Sequence, residues 1–156
     1  MKKIESFKVN HLNLFPGLYV SRKDVCGGIV VTTFDLRFTA PNREPVMEIA
    51  GIHTIEHIGA TFLRNSAFAD KVVYFGPMGC RTGFYLVMFG DLTSADVYDL
   101  VVDACDCIIN FQGDIPGATP QECGNYSDQN LSLAKTYAAA YKRELQQNKR
   151  FVYLAV

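Results

Sequence analysis

The feature that most constrains this chain is a five-residue run, His53-Thr54-Ile55-Glu56-His57, set among isoleucines. On a helix, the two histidines lie one turn apart on the same face, with the glutamate beside them. Two imidazoles placed in this way can bind one metal ion, and a neighbouring carboxylate can transfer protons. A solvated helix face is the simpler alternative, but polar side chains on an apolar helix need partners, and a metal would provide one.

The run does not determine the third ligand of such a metal. A catalytic metal commonly takes three protein ligands and keeps a position open for water or substrate. One candidate is Cys123, in the polar loop 121–125, whose thiolate would suit Zn²⁺ or Fe²⁺. Another is a distal glutamate, Glu122 or Glu144, as in the inverzincin metallopeptidases, which share the order H-x-x-E-H. A non-enzymatic alternative is a closed structural site in which a further cysteine is the fourth ligand.

Composition narrows the class of protein. The 156 residues are 49% hydrophobic and 20% charged, which is typical of one folded domain, and we expect a single domain over 1–156. The net charge is −1 and no basic run is present, so we expect no nucleic-acid partner. No apolar run reaches the roughly 20 residues of a membrane helix, and no apolar segment follows the N-terminal lysines. We therefore expect a cytoplasmic protein with no membrane partner, whose five cysteines are reduced.

The hydrophobic pattern predicts strands and helices without a regular βαβ order. Segments rich in β-branched and aromatic residues predict strands at 28–39, 72–75 and 82–89. Apolar residues at helical spacing predict helices at 46–65, from Thr93 or Ser94 to 111, and at 127–148. Glycines and prolines indicate a loop at 113–124. This order favours an α+β fold, with helices packed on a mostly antiparallel sheet.

Four further residues are candidates for chemistry or binding. Cys80 lies in a glycine-rich bend beside an arginine, where it is either a reactive thiol or a small hydrophobic residue that starts a strand. Arg37 lies on the more polar face of its strand and is either exposed or in contact with an anion. Ser6 and His11 belong to an irregular N-terminal segment, in which such residues are normally at the surface.

Taken together, five segments of the chain resemble the S-ribosylhomocysteine lyase family, which makes the precursor of the autoinducer-2 quorum-sensing signal. The segments are Glu5-Ser6-Phe7 with His11; Asp35-Leu36-Arg37-Phe38 with Pro41-Asn42; the H-x-x-E-H run; Pro77-Met78-Gly79-Cys80-Arg81-Thr82-Gly83; and Glu122-Cys123-Gly124-Asn125-Tyr126. Each is weak alone, but together they are specific, because they keep the family's order from residue 5 to residue 126. The strand 72–76 departs from the family's pattern, since Tyr74 stands where we expect an acidic residue.

The resemblance implies an activity and a cofactor. The implied enzyme is a carbon–sulfur lyase that converts S-ribosylhomocysteine to homocysteine and 4,5-dihydroxy-2,3-pentanedione by carbonyl migration and β-elimination of the thiol. It implies one divalent metal per chain, held by His53, His57 and Cys123. Iron(II) is the usual ion in the family, and zinc(II) and cobalt(II) are the expected substitutes.

The resemblance also implies roles for the other candidates. Glu56 and Cys80 are implied to be the acid–base pair. Ser6, His11 and Arg37 are implied to line the substrate site. The implied assembly is a homodimer with two active sites at the subunit interface.

Overall fold

Four antiparallel strands form one sheet that is covered on one face by three helices, in a computed structural model that describes residue 4 and residues 7–154. The strands are β1 (Gly17–Cys26), β2 (Ile29–Arg37), β3 (Val72–Pro77) and β4 (Gly83–Phe89), in the sheet order β1-β2-β4-β3. The helices are α1 (Ile49–Arg64), α2 (Ser94–Asn110) and α3 (Leu131–Asn148), with short 3-10 turns at His11–Asn13 and Ala69–Lys71. The predicted α+β class is confirmed.

The sheet has two unlike faces because successive side chains of a strand point in opposite directions. Phe34 and Leu36 of β2 lie in the core that the helices share. Asp35 and Arg37, which alternate with them, therefore lie on the other face, which none of the three described helices covers. We call this surface the open face; it includes Thr33, Asp35, Arg37, Tyr85 and Val87.

Helix α1 begins later than predicted, at Ile49 instead of residue 46. Pro45 disfavours helical geometry in the residue before it and lacks an N–H, and the chain stays irregular up to Glu48. The Met47 side chain is only 1% exposed, and the Met47 N–H donates to the carbonyl of Arg81 over 3.0 Å. The start of α1 is thus fixed to the turn between β3 and β4.

Helices α2 and α3 end at Asn110 and Asn148, close to the predicted ends at 111 and 148. Their N-terminal ends are fixed by side-chain caps. Thr93 caps α2, as predicted, through a reciprocal pair of hydrogen bonds with Asp96. Helix α3 begins at Leu131 instead of residue 127, because the Asn130 side chain accepts the N–H of Leu133 and acts as the cap. No helix in the described ranges is long and apolar enough to cross a bilayer.

Strand β1 was not predicted from the sequence. Its first part is buried, but the residues from Arg22 to Cys26 are exposed and mostly polar, so no alternation marks them as a strand. Pairing with β2 holds this segment in place, from Gly17 opposite Arg37 to Cys26 opposite Ile29. Gly27 and Gly28 have positive φ angles of 56° and 82°, as a two-residue hairpin turn requires.

Candidate metal centre and active site

Helix α1 places His53 and His57 one turn apart, with their rings edge to face at a centroid distance of 4.5 Å. Their Nε2 atoms are 2.9 Å apart. The Sγ atom of Cys123 lies 3.4 Å from Nε2 of His53, and the three ligand atoms lie within 4.8 Å of one another. The structure therefore brings together the three residues that the sequence nominated as metal ligands. We call them the metal group.

Backbone carbonyls set the orientation of both rings. The carbonyl of Asp128 lies 2.9 Å from Nδ1 of His53, and that of Pro116 lies 2.6 Å from Nδ1 of His57. Because a carbonyl can only accept, Nδ1 of His57 carries the hydrogen and its Nε2 presents a lone pair. At His53 the nearer Asp128 carbonyl favours the same tautomer, although the amide nitrogen of Gln129, a donor, lies 3.2 Å from the same Nδ1. The next residue, Gly117, has a φ of +68°, and a Cβ there would stand 3.4 Å from the His57 ring. A glycine permits this close approach of the loop.

The donor atoms of the metal group fit a single divalent cation. Two Nε2 lone pairs at 2.9 Å repel each other unless a proton or a metal cation lies between them. The Cys123 sulfur adds a third donor atom, and it accepts the N–H of Asn125 over 3.4 Å. Two imidazoles and a thiolate suit Fe²⁺, Zn²⁺ or Co²⁺, and three protein ligands leave a position open for a substrate oxygen.

The alternative ligands lie elsewhere. Glu122 is exposed and accepts a 2.8 Å hydrogen bond from Thr119, while Glu144 pairs with Arg150 at 3.1 Å near the end of α3. Cys105 is buried in the core and cannot be a fourth ligand. In the described part of the chain, no other histidine, cysteine or carboxylate joins the metal group. This leaves the metallopeptidase and the closed structural site without their required ligands.

Glu56 lies on α1 beside His57 and is half-buried. Among the described residues, its carboxylate makes no hydrogen bond and no ion pair. The structure thus places Glu56 next in sequence to a candidate metal ligand, on the same helix.

The Cys80 thiol is exposed on the turn between β3 and β4. Its sulfur lies 3.1 Å from Oγ1 of Thr82 and 4.0 Å from Nη1 of Arg37, which donates to the same Oγ1 over 2.6 Å. Because a guanidinium can only donate, the Thr82 hydroxyl hydrogen is available for the Cys80 sulfur. Arg81, with a φ of +59°, gives the turn its left-handed step. The Cys80 sulfur is thus exposed and also contacts a hydroxyl and a guanidinium.

Arg37 is buried, with 3% of its surface exposed, and it forms a bidentate ion pair with Asp35. The two hydrogen bonds measure 3.0 Å from Nε and 2.6 Å from Nη2. Of the two sequence interpretations of Arg37, exposure is therefore wrong, and the anion in contact is a carboxylate of its own strand. We call Cys80, Thr82, Arg37 and Asp35 the thiol group.

Only Cys80 and Arg37 of the thiol group are candidates on sequence grounds alone. Asp35 and Arg37 are two residues apart on one strand and therefore lie on the same face, so their ion pair could have been predicted from the sequence. Thr82 could have been inferred only from the contact itself, which depends on how β4 lies against β2.

His11 lies in the first 3-10 turn and is half-buried, not fully at the surface. It lines a cavity of about 10 Å³ together with Asp35, Arg37, Tyr85 and Tyr153. The structure thus brings His11 next to Arg37, as expected for two residues of one site. Ser6, the other candidate from this segment, lies outside the described residues.

The metal group and the thiol group are separate in the described chain. The histidines project from α1, on the helix-covered side of the sheet, whereas Arg37 and Asp35 lie on the open face. Across the described residues, no hydrogen bond, ion pair or ring contact joins the two groups.

Comparisons with known proteins agree with the motifs. The family model described as S-ribosylhomocysteinase (LuxS) matches residues 4–152. A protein of Finegoldia magna named S-ribosylhomocysteine lyase is 59% identical over 150 residues, which cover 96% of each chain. Proteins of the same name from Clostridium acetobutylicum and Borreliella burgdorferi are 57% and 55% identical, covering 90% and 96% of each chain. The prediction from the five segments is confirmed, and the chain belongs to the S-ribosylhomocysteine lyase family.

Proposed function

We propose that this protein is a metal-dependent lyase that cleaves S-ribosylhomocysteine to homocysteine and 4,5-dihydroxy-2,3-pentanedione, the precursor of the autoinducer-2 signal. The observation that carries the proposal is the convergence of His53 Nε2, His57 Nε2 and Cys123 Sγ in a chain of this family. The relatives bear the name of the same lyase.

The chemistry explains why a metal group and an acid–base pair are both needed. Carbon 5 of the sugar carries the thioether and is not activated until a carbonyl stands at carbon 3. The carbonyl must therefore move from carbon 1 to carbon 3, and each move removes one proton next to the carbonyl and returns one to the neighbouring carbon. Loss of the carbon 4 proton then expels homocysteine thiolate from carbon 5, with no net oxidation. A bound divalent cation supplies Lewis-acid stabilisation of the negative charge on the sugar oxygens.

The thiolate of Cys80 is the proposed carrier of the carbon-bound protons. It is exposed, so a sugar can approach it, and its sulfur lies 3.1 Å from Oγ1 of Thr82 and 4.0 Å from Nη1 of Arg37. Glu56 is the proposed carrier of protons between the sugar oxygens and takes part in the elimination, because it stands next to His57 on α1. The two acid–base groups thus serve different atoms of the substrate.

Arg37, His11 and Ser6 are the proposed substrate-orienting residues. His11 and Arg37 line the same small cavity at the open face. With Nε and Nη2 on Asp35, only Nη1 of Arg37 faces Cys80, so its contact with substrate is expected at that atom. The role of Ser6 rests on the family motif alone.

We further propose a homodimer in which the metal group of one chain faces the thiol group of its partner. The support is that Asp35 and Arg37 lie on the open face whereas the histidines project from α1, with no described contact between the two groups, although the reaction needs both around one sugar. The open face also carries apolar surface, with Phe89 45% exposed and a cavity of about 290 Å³ lined by residues that include Tyr85 and Val87. Closed two-fold pairing is the commonest oligomer. Sedimentation that shows an active monomer at assay concentration would exclude a shared site.

Thiol release from S-ribosylhomocysteine tests the proposed activity directly. Metal-replete protein should release homocysteine, and a peptide incubated in parallel should stay intact. Cys26→Ala is a matched control for thiol chemistry, because Cys26 is also exposed but lies at the β1–β2 hairpin. Homocysteine release by Cys26→Ala at the wild-type rate, and none by metal-free protein, is the expected result. Peptide cleavage without thiol release would contradict the proposal.

The proposed location is the cytoplasm. All five cysteines are free thiols, although Cys26 and Cys80 are exposed. Exposed free thiols are typical of a reducing compartment.

A further inference from the structure

The C-terminal segment after α3 runs along the edge of the sheet and reaches the open face. The carbonyl of Arg150 accepts the N–H of Leu18 in β1 over 3.0 Å. The Phe151 ring packs edge to face on Tyr98 of α2, with 5.7 Å between centroids. Two residues later, the Tyr153 ring stacks on Tyr19, with 4.6 Å between centroids and 17° between planes. The segment is thus held in place, although the proposed mechanism uses none of it.

The Tyr153 hydroxyl contacts the thiol group. It donates to Oδ2 of Asp35 over 3.0 Å, across 118 residues of sequence. Among the described residues, Arg37 and Tyr153 are the hydrogen-bond donors to this carboxylate. Asp35 is 2% exposed, so water does not compete freely for its oxygens. One carboxylate therefore joins the C-terminal segment to the guanidinium behind Cys80.

The bidentate bonds fix Asp35 and Arg37 relative to each other, and Thr82 holds the pair at its Arg37 end. A hydrogen bond from a separate element at the Asp35 end limits the remaining movement of the pair. With Tyr153 on Oδ2, the Asp35 carboxylate is held from two sides, and Arg37 directs Nη1 at Thr82 over 2.6 Å and at the Cys80 sulfur over 4.0 Å.

We propose that Tyr153 is a positioning residue for the lyase reaction: its hydroxyl fixes Asp35 and thereby the direction in which Arg37 faces Thr82 and Cys80. The inference rests on the proposed function, since it assigns Tyr153 a role in the chemistry of Cys80. Loss of the hydroxyl should slow the chemical step and should leave the fold and the metal group intact.

The surroundings of the pair support a fixed donor. Burial and the Asp35 carboxylate raise the pKa of Tyr153, and they also raise the pKa of Tyr85. The Tyr153 hydroxyl therefore stays protonated at neutral pH and continues to donate. Arg37 is the charged group that contacts the Cys80 sulfur, and Arg81 is its chain neighbour. The titratable groups that line the small cavity together with Arg37 are Asp35, Tyr85, Tyr153 and His11.

A pair of substitutions separates positioning from packing. Tyr153→Phe keeps the ring on Tyr19 and removes only the hydroxyl, whereas Tyr153→Ala removes both. Tyr98→Phe is the control, because Tyr98 contacts the same C-terminal segment through Phe151 but does not reach Asp35. Each variant is measured for homocysteine release, for metal content and melting temperature, and for the rate at which iodoacetamide alkylates Cys80 at neutral pH.

We expect Tyr153→Phe to lower kcat about 3- to 10-fold, the effect of about one hydrogen bond, with KM changed less than about twofold. Cys80 should be alkylated about two- to threefold more slowly at neutral pH, because the Arg37 guanidinium is no longer held at 4.0 Å from its sulfur. Metal content should be unchanged, and Tyr98→Phe should match the wild type in both kcat and alkylation.

A wild-type value of kcat or of the alkylation rate in Tyr153→Phe would overturn the proposal, and impairment of Tyr153→Ala alone would show that the residue only packs. The alkylation measurement needs no substrate. If the wild-type protein released no homocysteine, the proposed function would fail, while the alkylation rates would still decide whether Tyr153 acts on Cys80.

Discussion

The metal group and the thiol group reach their geometry by different means. Two of the three metal ligands, His53 and His57, come from one turn of one helix, and backbone carbonyls of the loop before α3 orient both rings. The thiol group is assembled from two strands and a turn, through the side chains of Asp35, Arg37 and Thr82. We therefore expect a single substitution of a metal ligand to abolish metal binding and activity together. A single substitution in the thiol group should instead lower the rate by a factor that depends on the residue.

Cys123→Ala should have the largest effect. It removes one of three donors and leaves two Nε2 lone pairs 2.9 Å apart, so metal content and homocysteine release should fall to background together. Elemental analysis and the thiol-release assay check this. Cys107→Ala is the control, since Cys107 is a half-buried cysteine of α2 outside the metal group. Full metal content in Cys123→Ala would remove Cys123 from the site.

Cys80→Ala should distinguish the function of the thiol group from that of the metal group. Because Cys80 lies outside the metal group, the variant should keep its metal yet release homocysteine about 10² to 10⁴ times more slowly, the usual contribution of an acid–base residue. The same assay on Cys26→Ala should give the wild-type rate. Wild-type turnover in Cys80→Ala would show that another residue moves the carbon-bound protons.

Glu56→Gln should slow homocysteine release by about 10² to 10⁴-fold, no more than Cys80→Ala does. The amide keeps the shape of the side chain and cannot carry the proton, so the variant should bind metal and substrate and stall before elimination. Metal analysis with the thiol-release assay tests this. A drop in metal content would instead assign Glu56 to support of the ligands.

Thr82→Val should have the smallest effect of the four. It keeps the shape of the side chain but removes the hydroxyl that accepts from Arg37 and faces the Cys80 sulfur, so we expect about a tenfold lower kcat with metal content unchanged. Thr82→Ser, which keeps the hydroxyl, should recover most of the activity. If the serine variant were as slow as the valine variant, the hydroxyl would have no role.

Features that depend on residues close together in the sequence could be predicted. The helical spacing of His53 and His57, the apolar stripe of α2 and the dense β-formers of β4 all depend on neighbours in sequence, and the structure has each of them. The loop cysteine Cys123 was found because its type and polar surroundings suit a metal ligand, and the structure places it at the histidines.

Features that depend on packing could not be predicted. Strand β1 has no alternating pattern in its exposed half and exists because β2 pairs with it. The start of α3 depends on Asn130, whose N–H is held by the Ala50 carbonyl and by Thr54 of α1. The bond from Tyr153 to Asp35 joins residues 118 positions apart, and no local pattern of either residue predicts it.

Heterodimers of defined composition test most directly whether the metal group of one chain works with the thiol group of the other. Co-expression with two affinity tags would give a dimer of one Cys80→Ala chain and one Cys123→Ala chain, and a second dimer of one wild-type chain and one chain with both substitutions. A shared site predicts about half of the wild-type activity for the first dimer, which keeps one intact site of two, and none for the second. The opposite result, an inactive first dimer and a half-active second dimer, would place both groups in one chain and contradict the account.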